Sequence, residues 1–188
     1  MSWHRVDLHQ CAPQAWRNGG GITHELAAWP TPDDWQWRVS VARIDRDGPF
    51  SAFEDVQRWF AVLTGNGVRL SWPTHQTTLT PQSQPLSFAG APACHAQLVD
   101  GATLDFNLMT RGLRGELIRQ SATPTQGTWP AHAHVGVFAC TDCLWQLEGT
   151  AIKQAPHSLH WGRLAAASAW SWCHGDALVF VLQKEQTP

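Results

Sequence analysis

Short segments in which apolar and polar residues alternate, each closed by Gly, Asn, Asp or Pro, run through almost the whole chain. Residues 35–42 (Trp-Gln-Trp-Arg-Val-Ser-Val-Ala) alternate with a period of two. That is the spacing at which successive side chains of an extended strand point to opposite faces. Residues 58–64 form an apolar run that stops at Gly65-Asn66-Gly67, a hairpin signal because glycine and asparagine tolerate φ > 0. Residues 68–72, 86–88, 96–99, 104–109 and 115–118 add further short strands between punctuation such as Asp47-Gly48-Pro49 and Asp100-Gly101. No window carries a sustained helical stripe, and 12 prolines are scattered throughout. An all-β fold is expected.

A faint repeat organises these strands. Residues 60–65 (Phe-Ala-Val-Leu-Thr-Gly) resemble residues 144–149 (Leu-Trp-Gln-Leu-Glu-Gly), and each is followed by alternating residues and a strand ending near Asp100-Gly101 or Gly175-Asp176. Two jelly-roll units in tandem are expected. The polar, Pro-rich stretch 120–130 reads as the loop between them.

A chain of 188 residues buries roughly 70% of its unfolded surface, so it needs neither disulfide nor metal merely to fold. A net charge of −2 gives no electrostatic footprint for nucleic acid or an anionic membrane. An acidic ligand would therefore have to be held by a local cation. The start of the chain has no apolar segment of the signal-peptide kind, and no run approaches the ~18 apolar residues of a membrane span. The five cysteines follow no framework spacing, so a reducing cytoplasm with free thiols is expected. Twelve Trp and seven Phe without a single Tyr predict aromatic walls for a core or cavity.

Within the strand at 35–42, Trp35, Trp37, Val39 and Val41 fall on one face, and Gln36, Arg38, Ser40 and Ala42 on the other. An Arg38 facing a Trp-walled lumen needs a partner, since an unpaired buried cation is strongly unfavourable. Asp105 and Asn107, on one face of their own strand, are candidates, as is Glu25. With space above it, Arg38 would offer a bidentate fork to a carboxylate. The segment Asn18-Gly19-Gly20-Gly21 lets the backbone approach closely, and its amides could converge on the same carboxylate. It lacks the strand–helix frame and Lys of a phosphate loop. Thr23 and Glu25 share a strand face, whereas His24 lies opposite.

Three stretches together carry a resemblance: residues 16–26 (Trp-Arg-Asn-Gly-Gly-Gly-Ile-Thr-His-Glu-Leu), residues 37–53 from Trp37-Arg38-Val39-Ser40 to Phe50-Ser51-Ala52-Phe53, and residues 105–111 (Asp-Phe-Asn-Leu-Met-Thr-Arg). In this order they resemble the HutD/Ves family, over nearly the whole chain and most strongly over residues 13–115. The resemblance implies an all-β bicupin: two RmlC-like jelly-roll (double-stranded β-helix) repeats in one compact domain, the first about 1–113 and the second about 114–188. It also implies a bacterial role in histidine utilisation, with binding of a pathway acid such as N-formylglutamate or urocanate.

Metallocupins hold a metal with a His-x-His pair, a Glu four residues on and a distant His. Counting back from Gly65 puts Arg58 at the Glu position, with Glu54 and Ala52 at the His positions. Counting back from Gly149 gives Asp142, Phe138 and Gly136. Neither set suits a divalent cation, so no metal and no cofactor is expected. A rival cluster, His132, His134, Cys140 and Cys143, is compact for a zinc site, and as a strand it would point Cys140 and Cys143 to opposite faces.

The chain thus reads as a binding protein. Its first repeat would hold a small anionic metabolite through Arg38, with Asn107, Ser40, Thr23 and the amides of Gly19 to Gly21. The alternative is a metal-independent hydrolase or isomerase using Glu25 or Asp105 beside the Arg clamp. The second repeat is expected to be filled by Trp145, Trp161, Trp170 and Trp172. A monomer or homodimer is expected.

Overall fold

The computed structural model describes residues 3–121 and 123–184. Its regular structure is almost entirely extended. A first strand, β1 (Trp3–Asp7), runs into a 3-10 turn (Leu8–Gln10). There follow β2 (Pro13–Ala15), β3 (Gly21–Pro30), β4 (Trp35–Ile44), β5 (Gly48–Pro49), β6 (Gln57–Thr64), β7 (Val68–Ser71) and β8 (Gln76–Leu79). Next come β9 (Leu86–Ala89), β10 (His95–Leu98), β11 (Thr103–Thr110), β12 (Leu113–Gln120), β13 (Thr125–Trp129) and β14 (His134–Ala139). The chain closes with β15 (Cys143–Leu147), β16 (Thr150–Gln154), β17 (Ser158–Arg163), β18 (Ser168–His174) and β19 (Ala177–Lys184).

Two units result. Residues 11–112 form one, with a six-stranded sheet β2-β3-β4-β11-β6-β9 and a four-stranded sheet β5-β10-β7-β8. The other comprises the chain from Leu113 onward, with sheets β1-β17-β14-β19-β12 and β13-β18-β15-β16. The N-terminal ten residues belong to this second unit, not to the first repeat as expected. Trp3 to Asp7 pair antiparallel with Gly162 to Ser158, the Leu8 amide donates to the His157 carbonyl at 2.9 Å, and Leu8 is buried.

The sheet orders match strand for strand: β4-β11-β6-β9 corresponds to β12-β19-β14-β17, and β5-β10-β7-β8 to β13-β18-β15-β16. This is the jelly-roll repeat, but shifted from its expected alignment. The counterpart of β6 is β14, not the strand at 144–149, so the turn matching Gly65-Asn66-Gly67 is the one at 140–142. Apolar strands resemble one another locally, and only pairing across the sheet tells them apart. The stretch 120–130 also departs from its expected loop. Thr125 to Trp129 form β13, pairing with Trp172 to Ser168, and Trp129 is buried.

The two interiors differ in kind. Between the sheets of the first unit, Ile44, Phe60, Val62, Val68, Leu70, Trp72 and Leu79 pack with Cys94 and Ala96. In the second, Trp129, Trp145 and Trp172 pack with Val135, Val137 and Val179, backed by Trp3 and Trp170. A cavity of only about 10 Å³ lies among Trp129, Trp145, Trp170 and Trp172, at the lower limit of what a single water requires. Trp161, expected in this filling, instead stacks on His4 at 4.2 Å.

Because Leu8 is buried against the C-terminal unit's strand system, Leu8→Ala is expected to cost about 2–4 kcal/mol. Urea unfolding followed by far-UV circular dichroism checks this. A loss below roughly 0.5 kcal/mol would contradict an integral role for the N-terminal strand.

Candidate functional site

The inward face of the six-stranded sheet in the first unit opens on a cavity of about 640 Å³. Strand alternation decides what lines it. On β4, Arg38, Ser40, Ala42 and Ile44 face the cavity, while Trp37, Val39 and Val41 are wholly buried on the other face. The Trp-lined wall expected from composition is therefore a Phe wall here: Phe50, Phe53 and Phe60, with Trp16 at the edge. The tryptophan filling belongs to the other unit.

Cross-strand register places the polar groups on shared rungs. Met109 of β11 lies between Arg38 and Arg58, and Asn107 lies between Ser40 and Phe60. One rung deeper, Asp105 lies between Ala42 and Val62. With strands about 4.8 Å apart, the Cα atoms of Arg38 and Arg58 stand about 10 Å apart across Met109.

Arg58 dominates this site and was not among the expected ligand-binding residues. Only 5% of it is exposed. Its Nη2 donates to Asn107 Oδ1 at 3.1 Å, and its Nη1 lies 3.5 Å from the Ser51 carbonyl. Its Nε has no partner. Phe50, Phe53 and Phe88 surround the guanidinium at 5.0, 5.9 and 5.2 Å. Among the described residues no carboxylate pairs with it. Burial lowers its pKa to about 10, so it stays cationic at neutral pH. Cys94 offers no counter-charge, because burial pushes its thiol up to about 11. Three aromatic rings recover part of the lost hydration by cation–π attraction, but a desolvated cation without an anion is costly. The sequence held the signal: Arg58, Phe60 and Val62 alternate onto one face, which puts a charge in an apolar stripe.

Arg38 is differently placed. Its Nε lies 2.6 Å from Glu25 Oε2, with both side chains 22% exposed. The approach is off the N–H axis, so charge holds this pair more than an aligned hydrogen bond does. Arg38 lines the cavity and Glu25 does not. Glu25 is within reach because it pairs with Ser40 on β4 and so lies diagonal to Arg38 on the same sheet face, just ahead of the register shift between Glu25 and Ala27. The expected pairing of Arg38 with Asp105 does not form. Asp105 is fully buried two rungs from Arg38, where Thr103 Oγ1 donates to its Oδ2 at 2.7 Å. Its Oδ1 has no partner, and burial raises its pKa to about 7.

Asn18 and Thr23 reach the cavity wall, whereas Gly19, Gly20 and Gly21 do not. Two of the amides expected to grip a carboxylate are engaged within the turn. Gly19 N–H donates to the Trp16 carbonyl and Gly20 N–H to Asn18 Oδ1, each at 3.0 Å. Gly19 has a φ of +68°, and a Cβ on Gly21 would meet the Arg43 carbonyl oxygen at 2.2 Å. The glycines make a tight bend, which sets Trp16 so that its indole donates to Thr23 Oγ1 at 2.7 Å.

Of the expected residues, Asn18, Thr23, Arg38, Ser40 and Asn107 meet at the cavity. Glu25 lies beside Arg38 on the same sheet face without lining the cavity, and Asp105 lies beneath the floor. His132, His134, Cys140 and Cys143 lie in the other unit, and no three of the described His, Cys, Asp or Glu residues assemble into a metal-holding group. Cys143 Sγ points to the Thr141 and Asp176 carbonyls, Cys140 Sγ lies beside the Arg119 guanidinium, and burial holds His134 at about 4.

The HutD family model matches residues 8–186. The chain belongs to the HutD family. Protein Ves of Cronobacter sakazakii is 34% identical over 142 residues, covering 75% of this chain and 77% of that protein. HutD from Pseudomonas fluorescens SBW25 superposes with a TM-score of 0.86 at 24% identity, over 98% of this chain and all of that one. A conserved Pseudomonas aeruginosa protein gives 0.84 at 26% identity, covering 97% and 98% of the two chains. A variant of Bacillus subtilis oxalate decarboxylase, a cupin, reaches 0.65 at 5% identity over 98% and 78%, which shows the shared bicupin fold alone. Within this HutD-family chain no helix is long and apolar enough to cross a membrane, among the described residues.

Asp105 makes stability depend on pH. Its folded pKa of about 7 exceeds the unfolded value of about 3.9, so the native state binds the extra proton. That stabilisation is complete below pH ~4 and is lost as pH rises to ~7. Asp105→Asn keeps the acceptor for Thr103 without the charge. Urea unfolding at pH 5 and pH 8 should show wild type losing on the order of 2 kcal/mol more than Asp105→Asn between the two. Equal losses would contradict the assignment.

Proposed function

We propose that this HutD-family protein binds a small carboxylic acid in the cavity of its first unit, with Arg58 as the principal anchor. One observation carries the reading: a cation sealed among three phenylalanines, with a free Nε, a single side-chain acceptor and open space in front of it. A carboxylate placed there completes the guanidinium's hydrogen bonds and supplies the missing charge in a low-dielectric setting. Asn107, Ser40 and Arg38 line the same wall, so a second polar group on the ligand meets donors within the same cavity. Its volume falls in the range of about 300–1,000 Å³ usual for small-molecule sites, and its few polar groups amid aromatic walls fit that pattern.

The side chains on the cavity wall are guanidinium, amide, hydroxyl and apolar groups. Glu25 and Asp105, on which acid–base chemistry would depend, are not among the lining residues: Glu25 is held by Arg38, and Asp105 is buried below. That arrangement favours binding over turnover. Family membership directs the choice of ligand to histidine utilisation, with N-formylglutamate and urocanate as the acids to test, and occupancy would report metabolite level to a regulatory circuit in the cytoplasm.

Thermal unfolding tests the reading. At ligand concentrations near 100 times Kd, a two-state chain of this size gains about 2.7 kcal/mol, or roughly 5–10 °C in Tm. At least one of the two acids should raise Tm in this way for the wild type and leave Arg58→Gln unmoved. Failure of every histidine-pathway acid to shift Tm, or an undiminished shift in Arg58→Gln, would contradict the proposal.

A further inference from the structure

We propose that Glu25 sets the charge this cavity accepts, so that of the two acids above the monocarboxylate urocanate is preferred to the dicarboxylate N-formylglutamate, the favoured ligand carrying one carboxylate and, at its far end, an uncharged acceptor. The inference rests on the reading of the cavity as a carboxylate site. Two half- or fully buried cations, Arg38 and Arg58, flank Met109 on a single rung. Glu25, opposite Ser40 on the same sheet face, already stands 2.6 Å from Arg38 Nε. Arg17, the third guanidinium on the wall, is exposed and screened by water, so the buried charge of Arg38, Glu25 and Arg58 together is +1, concentrated at Arg58, which has no anion of its own. One carboxylate at Arg58 neutralises the site.

A second carboxylate near Arg38 would add a charge that Glu25 has already cancelled. It would also have to share the guanidinium with Glu25 at close range, where like charges repel by more than a solvent-exposed pair would. Arg38 keeps its Nη groups as donors, as a guanidinium held along one edge still presents the other. An amide or acyl oxygen satisfies those donors without adding charge, and Ser40 on the neighbouring position of the same face offers a hydroxyl. The Arg38–Arg58 separation of about 10 Å at Cα, shortened by two long inward side chains, suits a ligand of four to five backbone carbons.

Glutarate and its mono-amide, glutaramate, differ in one charge and almost nothing in shape. Their ratio of dissociation constants cancels folding and preorganisation effects that a single ligand would report. Calorimetric titration of the full chain should give wild type a preference for glutaramate. Glu25→Gln should shift the ratio roughly tenfold toward glutarate, as expected for removing a unit charge from a partly buried neighbour. Arg38→Gln, which leaves Glu25 without its partner, should shift it the opposite way. Ratios within twofold of wild type in both variants, with binding still dependent on Arg58, would overturn the role of Glu25 and leave the carboxylate site standing. Absence of Arg58-dependent binding of either acid would overturn the site and this inference together.

Discussion

A guanidinium without a counter-ion, held inside a β-sandwich, is the constraint from which the rest of this site follows. Arg58 sits on β6, whose other inward residues, Phe60 and Val62, belong to the core. The strand cannot turn Arg58 outward without also exposing them, because the side-chain period of a strand is two. The charge is thus fixed in place by the same alternation that builds the hydrophobic interior. Phenylalanine faces soften its desolvation, Asn107 orients it, and the cavity leaves room for what it lacks. Arg38, by contrast, is already balanced by Glu25, so two arginines on one rung play different parts.

The second unit shows what the same topology becomes without such a charge. On β14 and β19, the counterparts of β6 and β11, the side chains in the core are Val135, Val137, Ala139, Ala177 and Val179. Where the first unit sets Arg58, Asn107 and Asp105, the second sets aliphatic groups, and Trp129, Trp145 and Trp172 close the space. Trp145 and Gln154 satisfy one another there, with the indole donating at 3.0 Å. One repeat is packed for stability and the other is left open.

Much of this was legible in the residues. The alternation of 35–42 located β4 and put Arg38, Ser40 and Ala42 on one face, as the structure has them. The glycines at 65 and 67 marked a true turn, with φ of +98° and +114°. What failed did so where an answer depends on distant pairing. Arg58 opens an apolar run and reads locally as a strand end, yet pairing with Met109 makes it the floor of the site. The same non-local dependence misaligned the repeats by one strand, hid β13 in a Pro-rich stretch and walled the cavity with phenylalanine where tryptophan was expected, although Trp145, Trp170 and Trp172 fill the second unit as expected. Glu25, by contrast, was expected to share a face with Thr23 and to pair with Arg38, and it does. The glycine amides were expected to bind, whereas a neighbouring Asn and a carbonyl already hold two of them.

The count at the metallocupin Glu position gains a physical meaning in this light. Where a metal-binding relative would place a carboxylate to hold a cation, this chain places the cation itself, as Arg58. The crystal structure of the protein soaked with a short carboxylic acid tests that substitution most directly. The account predicts carboxylate oxygens about 2.7–3.2 Å from Arg58 nitrogens and from the Asn107 side-chain amide, inside the Phe-lined cavity. An acid bound only elsewhere, with the space before Arg58 filled by water, would contradict it.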